Sequence, residues 1–192
     1  MKTLYLDCGM GAAGDMLTAA LLELLPDKEE FLANLNGLGI PGVTVTSEAS
    51  AKCGIQGTHI TVRVNGEEES EDIHAHGHSH SHEHEHGHEH KHSDDGHHHH
   101  HSGMHEIEHI IEELPVSEKV KADILAVYSL IAEAESHAHG VPVTEIHFHE
   151  VGTLDAVADV TAVCMLMECL SPDQVVVSPV HVGSGHVKCA HG

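Results

Sequence analysis

The segment 147–159 reads HFHEVGTLDAVAD and brings His147, His149, Glu150, Asp155 and Asp159 into one short stretch. Imidazole nitrogen combined with carboxylate oxygen is the mixed donor set of Mg²⁺, Mn²⁺, Ni²⁺ or Zn²⁺ sites. His147 and His149 alternate on an extended loop, Glu150 follows, and Gly152-Thr153 opens a helix. Asp155 and Asp159 are one turn apart on it, so their carboxylates share a face. The rest of that helix is apolar nearly all round, from Leu154, Ala156 and Val157 to Met165, Leu166 and Met167, which is the pattern of a buried helix. Buried carboxylates need cations or strong hydrogen-bond donors. We therefore read Glu150, Asp155 and Asp159 as candidate catalytic groups, and the same three with His147 and His149 as metal ligands. The competing reading makes Asp155 a helix-dipole partner and pairs Asp159 with one of the eight Lys and Arg residues.

A second reservoir of metal ligands lies upstream. Histidine occupies every second position at His74, His76, His78, His80, His82, His84, His86, His88, His90 and His92, and an unbroken run follows at His97, His98, His99, His100 and His101. Neutral imidazole suits Ni²⁺, Cu²⁺ and Zn²⁺. In extended chain, residues two apart point the same way at roughly 6.5–7 Å, and a flexible backbone can fold several rings onto one ion. Many exchangeable sites are expected, in storage or in delivery. An affinity tag or a pH-buffering linker are the plainer readings, but the run is internal to the chain.

The third constellation is Asp7-Cys8-Gly9-Met10-Gly11-Ala12-Ala13-Gly14-Asp15, a G-x-G-x-x-G between an expected strand and an expected helix. Backbone N–H groups at such a helix start can hold a phosphate. Asp7, Gly11, Gly14 and Asp15 are the candidate cofactor-binding residues. A dinucleotide site would need an acid at the end of a second strand about 20 residues on, and that region is the helix-like Asp27-Lys28-Glu29-Glu30-Phe31. Flanking acids repel a bare phosphate, so a metal ion bridging carboxylates and phosphates fits better. A tight strand-to-helix connection remains the plainer alternative.

These groups must be positioned by a framework that the hydrophobic pattern outlines. Thr3–Leu6 reads as a strand and Asp15–Leu25 as a helix with Asp15 as its N-cap, ended by Pro26. A second helix is expected over Lys28–Leu35, then a hairpin of Val43–Ala49 and Thr58–Val64. After the histidines come Glu106–Leu114, a helix capped by Ser117 and running to Ala138 with Val120, Ile124, Val127, Leu130 and Ile131 at helical spacing, a helix over Thr153–Leu170, and a strand over Gln174–Pro179. The expected fold class is α/β or α+β: a small sheet, a mostly helical subdomain and a long disordered His-rich insert. Three regions are expected: 1–64, an α/β segment with the glycine-rich turn; 65–104, a disordered metal-binding insert; and 105–192, a helical segment with the metal site and a closing strand.

Composition narrows the function classes. Without the biased stretch roughly 150 residues remain, enough for one core. With 31 acids against 8 bases and a formal charge of −23, the chain repels nucleic acid and anionic membranes, and it has no Trp and only two Phe and two Tyr for base stacking. Asp7 interrupts the amino terminus before a signal-peptide core could form, and no stretch approaches about 20 apolar residues. A cytoplasmic location is the expectation. The five cysteines form no CxxC pair, which argues against a disulfide framework or a four-cysteine zinc site.

Taken together, Asp7-Cys8 with Gly11-x-x-Gly14-Asp15-Met16, His147-Phe148-His149-Glu150-Val151-Gly152 with Asp155 and Asp159, and Gly183-x-Gly185 through His191-Gly192 resemble the nickel-insertion proteins of nickel-pincer nucleotide cofactor biosynthesis, the LarC family. The His-rich insert is similar too, and the resemblance is to the amino-terminal portion of a longer protein. The chain departs from the pattern at Gly9-Met10, His181 and His186. The resemblance implies a lyase-class cyclometallase that inserts Ni²⁺ into pyridinium-3,5-bisthiocarboxylic acid mononucleotide, forming one nickel–carbon and two nickel–sulfur bonds. It implies CTP as co-substrate, Mg²⁺ or Mn²⁺ as cofactor, and the family's carboxy-terminal domain as partner. Homo-oligomerisation is left open. The alternatives are a nickel store or chaperone without catalysis, and a metal-dependent nucleotide phosphohydrolase. CTP turnover separates them, because a store has no need of nucleotide.

Overall fold

The computed structural model describes residues 1–68, 103–146, 148 and 150–185, with Glu150 described by its backbone alone. The chain is a mixed α/β protein of five helices and two small sheets among the described residues. The histidine-rich run from His74 to His101 lies outside them.

Strand β1 (Thr3–Leu6) feeds the glycine turn and helix α1 (Gly14–Leu22), and α2 (Lys28–Asn36) follows. Asp27 caps α2, its carboxylate accepting from the Glu30 N–H at 2.9 Å. Strands β2 (Val43–Lys52) and β3 (Ile55–Val64) form the expected hairpin, longer than the alternation suggested. Cys53 and Gly54 supply its two left-handed turn residues, with φ of 53° and 81°. Asn65 and Gly66 repeat that chemistry at φ of 56° and 87° and turn the chain into a two-residue strand β4 (Glu67–Glu68) on β3. The ladder thus enters the region assigned to the insert.

Beyond the insert come α3 (Met104–Glu113), α4 (Glu118–His139), two short 3₁₀ turns at Val143–Glu145 and Glu150–Gly152, α5 (Leu154–Leu170) and β5 (Gln174–Val177). Ser117 caps α4 by accepting from the Val120 N–H at 3.1 Å, and Gly140 closes it with φ of 67°. The buried face of α4 runs Val120, Ile124, Tyr128, Ala132, every fourth residue, whereas Leu130 is 68% exposed. The sequence placed Leu130 on that face; an i, i+4 row brings Tyr128 inward instead.

Helix α5 is the spine of the fold. Its Ala158, Ala162 and Leu166 pack into a core with Leu21 and Leu22 of α1, Phe31 and Leu35 of α2, and Val45, Ile60 and Val62 of the hairpin. Its Val157 and Cys164 join a second cluster with Ile107, Ile111, Ile124, Tyr128 and Phe148. Small Ala158 and Ala162, both buried, let α1 and α5 approach closely. Against the first of these cores, β1 and β5 pair in parallel, Leu4 opposite Val175 and Leu6 opposite Val177, so strands from the first and last described elements meet in one sheet. No helix among the described residues is long and apolar enough to cross a membrane.

Candidate functional site

The site forms where the turn after β1, the first turn of α1 and the first turns of α5 come together. Thr153 caps α5, its Oγ1 accepting from the Ala156 N–H at 3.4 Å, which sets Asp155 in the first turn and Asp159 one turn later. Gly14 opens α1 directly against Asp159. A Cβ on Gly14 would lie 2.5 Å from Asp159 Oδ2 and 2.6 Å from its Cβ, so only glycine permits this approach. The two helices therefore meet through a residue without a side chain and a carboxylate.

Asp15 corrects a sequence expectation. It sits inside α1 rather than at its N-cap, which is Ala13 with no side-chain hydrogen bond. The helix starts one residue early, at Gly14, and Asp15 Oδ1 instead accepts from the Met16 N–H at 2.7 Å.

Electrostatics single out Asp159. Burial above all, with the charges of Asp155 and Asp15 acting in the same direction and the Asp15 backbone N–H against them, pushes its carboxyl up to about 7. Lys119 is paired with Asp123, Lys121 lies 4.0 Å from Glu118, and no described Lys or Arg forms an ion pair with Asp159. The plainer sequence reading, in which a basic residue neutralises Asp159, therefore has no support among the described residues.

Gly14, Asp15, Asp155 and Asp159 are thus brought together. Asp7 is not: it is exposed, and its Oδ1 accepts from the Gly9 N–H at 3.1 Å within its own turn. Gly11, with φ of 103°, lies by the carbonyl of His181. His147, His149 and the Glu150 side chain lie outside what is described, as do the insert histidines. Among the described residues, no three His, Cys, Asp or Glu side chains converge to hold a metal ion between them.

Two residues that the sequence reading passed over belong to this neighbourhood. Tyr128 is fully buried, stacks edge-on against Phe148 with ring centroids 5.8 Å apart, and has no hydrogen-bond partner for its hydroxyl. Burial raises its pKa, and the Asp159 charge adds to that. Ser178, just past β5, accepts the Cys8 N–H on its Oγ at 2.8 Å, and the His181 N–H donates to the Cys8 carbonyl at 3.0 Å. The signal for Tyr128 was its place in the i, i+4 row of α4; Ser178 gave none. Among the described residues Cys8 and Cys164 are buried and Cys53 and Cys169 exposed, all as free thiols. A cavity of about 410 Å³, lined by Ala33, Pro115, Ser117, Met165 and Glu168 among others, lies at the far end of α5 from Asp155 and Asp159.

Comparison with known proteins places the chain in a family. The family model described as "Nickel insertion protein" matches residues 4–192. A pyridinium-3,5-bisthiocarboxylic acid mononucleotide nickel insertion protein of Clostridium kluyveri is 39% identical over 193 residues, covering 100% of this chain and 44% of the relative. Its namesake in Lactiplantibacillus plantarum is 37% identical, covering 100% and 43%. A putative nickel insertion protein of Dictyoglomus thermophilum is 32% identical, covering 100% and 42%. The chain therefore spans less than half the length of these relatives. No solved structure matches it. With the glycine turn and the α5 carboxylates inside the matched span, the chain belongs to the nickel insertion protein family.

Proposed function

We propose that the chain is the amino-terminal portion of an enzyme that inserts Ni²⁺ into pyridinium-3,5-bisthiocarboxylic acid mononucleotide. It acts as a CTP-dependent cyclometallase with Mg²⁺ or Mn²⁺, in the cytoplasm, together with the carboxy-terminal portion found in its longer relatives. The observation that carries the reading is the Asp159 carboxylate, held against Gly14 with Asp155 and Asp15 for neighbours and no described basic partner, in a chain whose relatives are named for this insertion.

Like charges gathered on a partly buried carboxylate are the arrangement that a divalent cation relieves. Oxygen donors suit Mg²⁺ and Mn²⁺, so Asp155 and Asp159 fit such an ion, and Glu150, His147 and His149 are the further ligands we assign from their place in the sequence. When bound, the ion would neutralise nucleotide phosphate charge beside these carboxylates. The chain's own part is positional. Gly14 lets the start of α1 lie at the carboxylates, where the Asp15 N–H donates to Asp159, and Gly11 with the Asp7–Asp15 turn gives an anionic group close access to backbone. Nickel is the substrate. The insert histidines, His74 to His101, capture it and raise its local concentration; the α5 site holds the geometry in which it reacts.

Calorimetric titration of Mn²⁺ into the chain tests this. Asp155→Asn and Asp159→Asn should each weaken binding in the presence of CTP by at least about tenfold, the loss expected for one removed carboxylate ligand. Unchanged affinity in both variants would remove the α5 site from the reading.

A further inference from the structure

We propose that the open edge and uncovered faces of the β1–β5 sheet seat the portion of the longer relatives that this chain does not span, and that this portion adds to β5 as a further strand.

The argument starts from the sequence of β5, Gln174-Val175-Val176-Val177. An uninterrupted β-branched run is the pattern of a parallel strand covered on both faces, and parallel sheets are rarely left open to water. Yet Val175, Val176 and Val177 are 41%, 38% and 51% exposed. Strand β1 behaves differently. Its Leu4 and Leu6 pack onto the core while Tyr5 is 60% exposed. The register sets Val175 and Val177 beside Leu4 and Leu6 on the inner face, and Val176 beside Tyr5 on the outer face. The inner face is thus covered under β1 and left open under β5, while the outer face is open under both.

Backbone hydrogen bonding agrees. The Gln174 and Ser178 N–H groups donate to the carbonyls of Lys2 and Leu6 at 3.3 and 2.9 Å. Alternation along the strand turns the N–H groups of Val175 and Val177 to the open side. Nothing within β5 protects that edge: it holds no charge and no proline, the devices by which edges are normally blunted.

The occupant follows from length and charge. The chain covers 44% and 43% of two relatives, so more than half of each lies outside it. A second copy is the poorer occupant, because it would bring together two chains of formal charge −23. Position adds a reason. Past β5 the chain runs through Ser178 and His181, which hold the backbone of Cys8 in the glycine turn. A portion docked on β5 would reach the Asp7–Asp15 turn and the start of α1, completing a site of which this chain supplies only part. The inference rests on family membership and holds whichever reaction the assembly performs.

The test is to co-express this chain with the remaining portion of the Clostridium kluyveri relative as a separate polypeptide, and to measure complex formation by light scattering and amide exchange. A one-to-one complex is expected, with the Val175 and Val177 amides exchanging at least tenfold more slowly than in the chain alone. Val176→Glu, on the outer face, and Val175→Pro, which removes an outward N–H and leaves the bonds to β1, should each weaken it at least tenfold while leaving the thermal melt of the chain alone unchanged. No complex, or a complex indifferent to both substitutions with unprotected amides, overturns the proposal. So does self-association of the chain alone that Val176→Glu abolishes, because it would give the edge to a second copy.

Discussion

At Asp159, burial and the charges of Asp155 and Asp15 all act to keep the carboxyl protonated. A folded-state pKa raised to about 7 from 3.8 means that the folded chain holds a proton which the unfolded chain has already lost. The destabilisation is therefore absent below about pH 4, grows as pH rises, and is complete above about pH 7. Asp159→Asn removes it. The metal-free variant should melt roughly 2–4 °C above the wild type at pH 8, a modest gain because the group is partly exposed, and should lose that advantage at pH 4. Thermal melts at the two pH values check this. A substitution that stabilises the fold while weakening Mn²⁺ binding marks a group kept for function rather than for stability. The pair Asp155 and Asp159 was legible in the sequence because two acids one turn apart interrupt an otherwise apolar helix. Tyr128 was not, since an aromatic on a helix reads as core, and its ring is core; only the hydroxyl beside Asp159 distinguishes it.

Between elements, the contact that fixes the site is α1 against α5 through Gly14. On an exposed helix, Gly→Ala stabilises by about 0.5–1 kcal/mol. At Gly14 the sign should reverse, because the new methyl would lie 2.5 Å from Asp159 Oδ2. Gly14→Ala is expected to destabilise by roughly 1–3 kcal/mol, as overpacking does, and to weaken Mn²⁺ binding with it. Denaturant unfolding measures the first and calorimetry the second; a stabilised Gly14→Ala would mean that α1 and α5 do not meet here. The sequence showed that a glycine turn led into a helix, and it showed the hairpin, because two alternating runs flank a turn-prone stretch; the Asn65-Gly66 turn into β4 it left in the insert. It did not show which partner Gly14 faces. Nor did it show that β1 pairs with β5: Lys2 bonds to Asp173 across 171 residues, and no local pattern encodes such a meeting.

Across the whole molecule, the proposed function divides the metal chemistry between two kinds of site. The formal charge of −23 concentrates cations around the protein generally, and the histidines from His74 to His101 add many interchangeable ligands. Neither would fix a reacting geometry; the proposed function gives that task to the α5 carboxylates and the α1 turn. Composition alone sets the two stretches apart, because an alternating histidine run lacks the apolar residues to build a core, whereas Asp155 and Asp159 sit on a helix that the core surrounds. The most direct measurement is cofactor formation against nickel concentration, with CTP, Mn²⁺ and the complementary portion of a longer relative supplied. The account predicts that Asp155→Ala lowers formation at least about a hundredfold at every nickel concentration, because dissolved nickel cannot restore a lost ligand geometry. A chain lacking the insert histidines should be slow when nickel is scarce and regain the wild-type rate at saturation. If the insert deletion is inactive at saturating nickel while Asp155→Ala remains active, the histidines are the reacting site and the account is wrong.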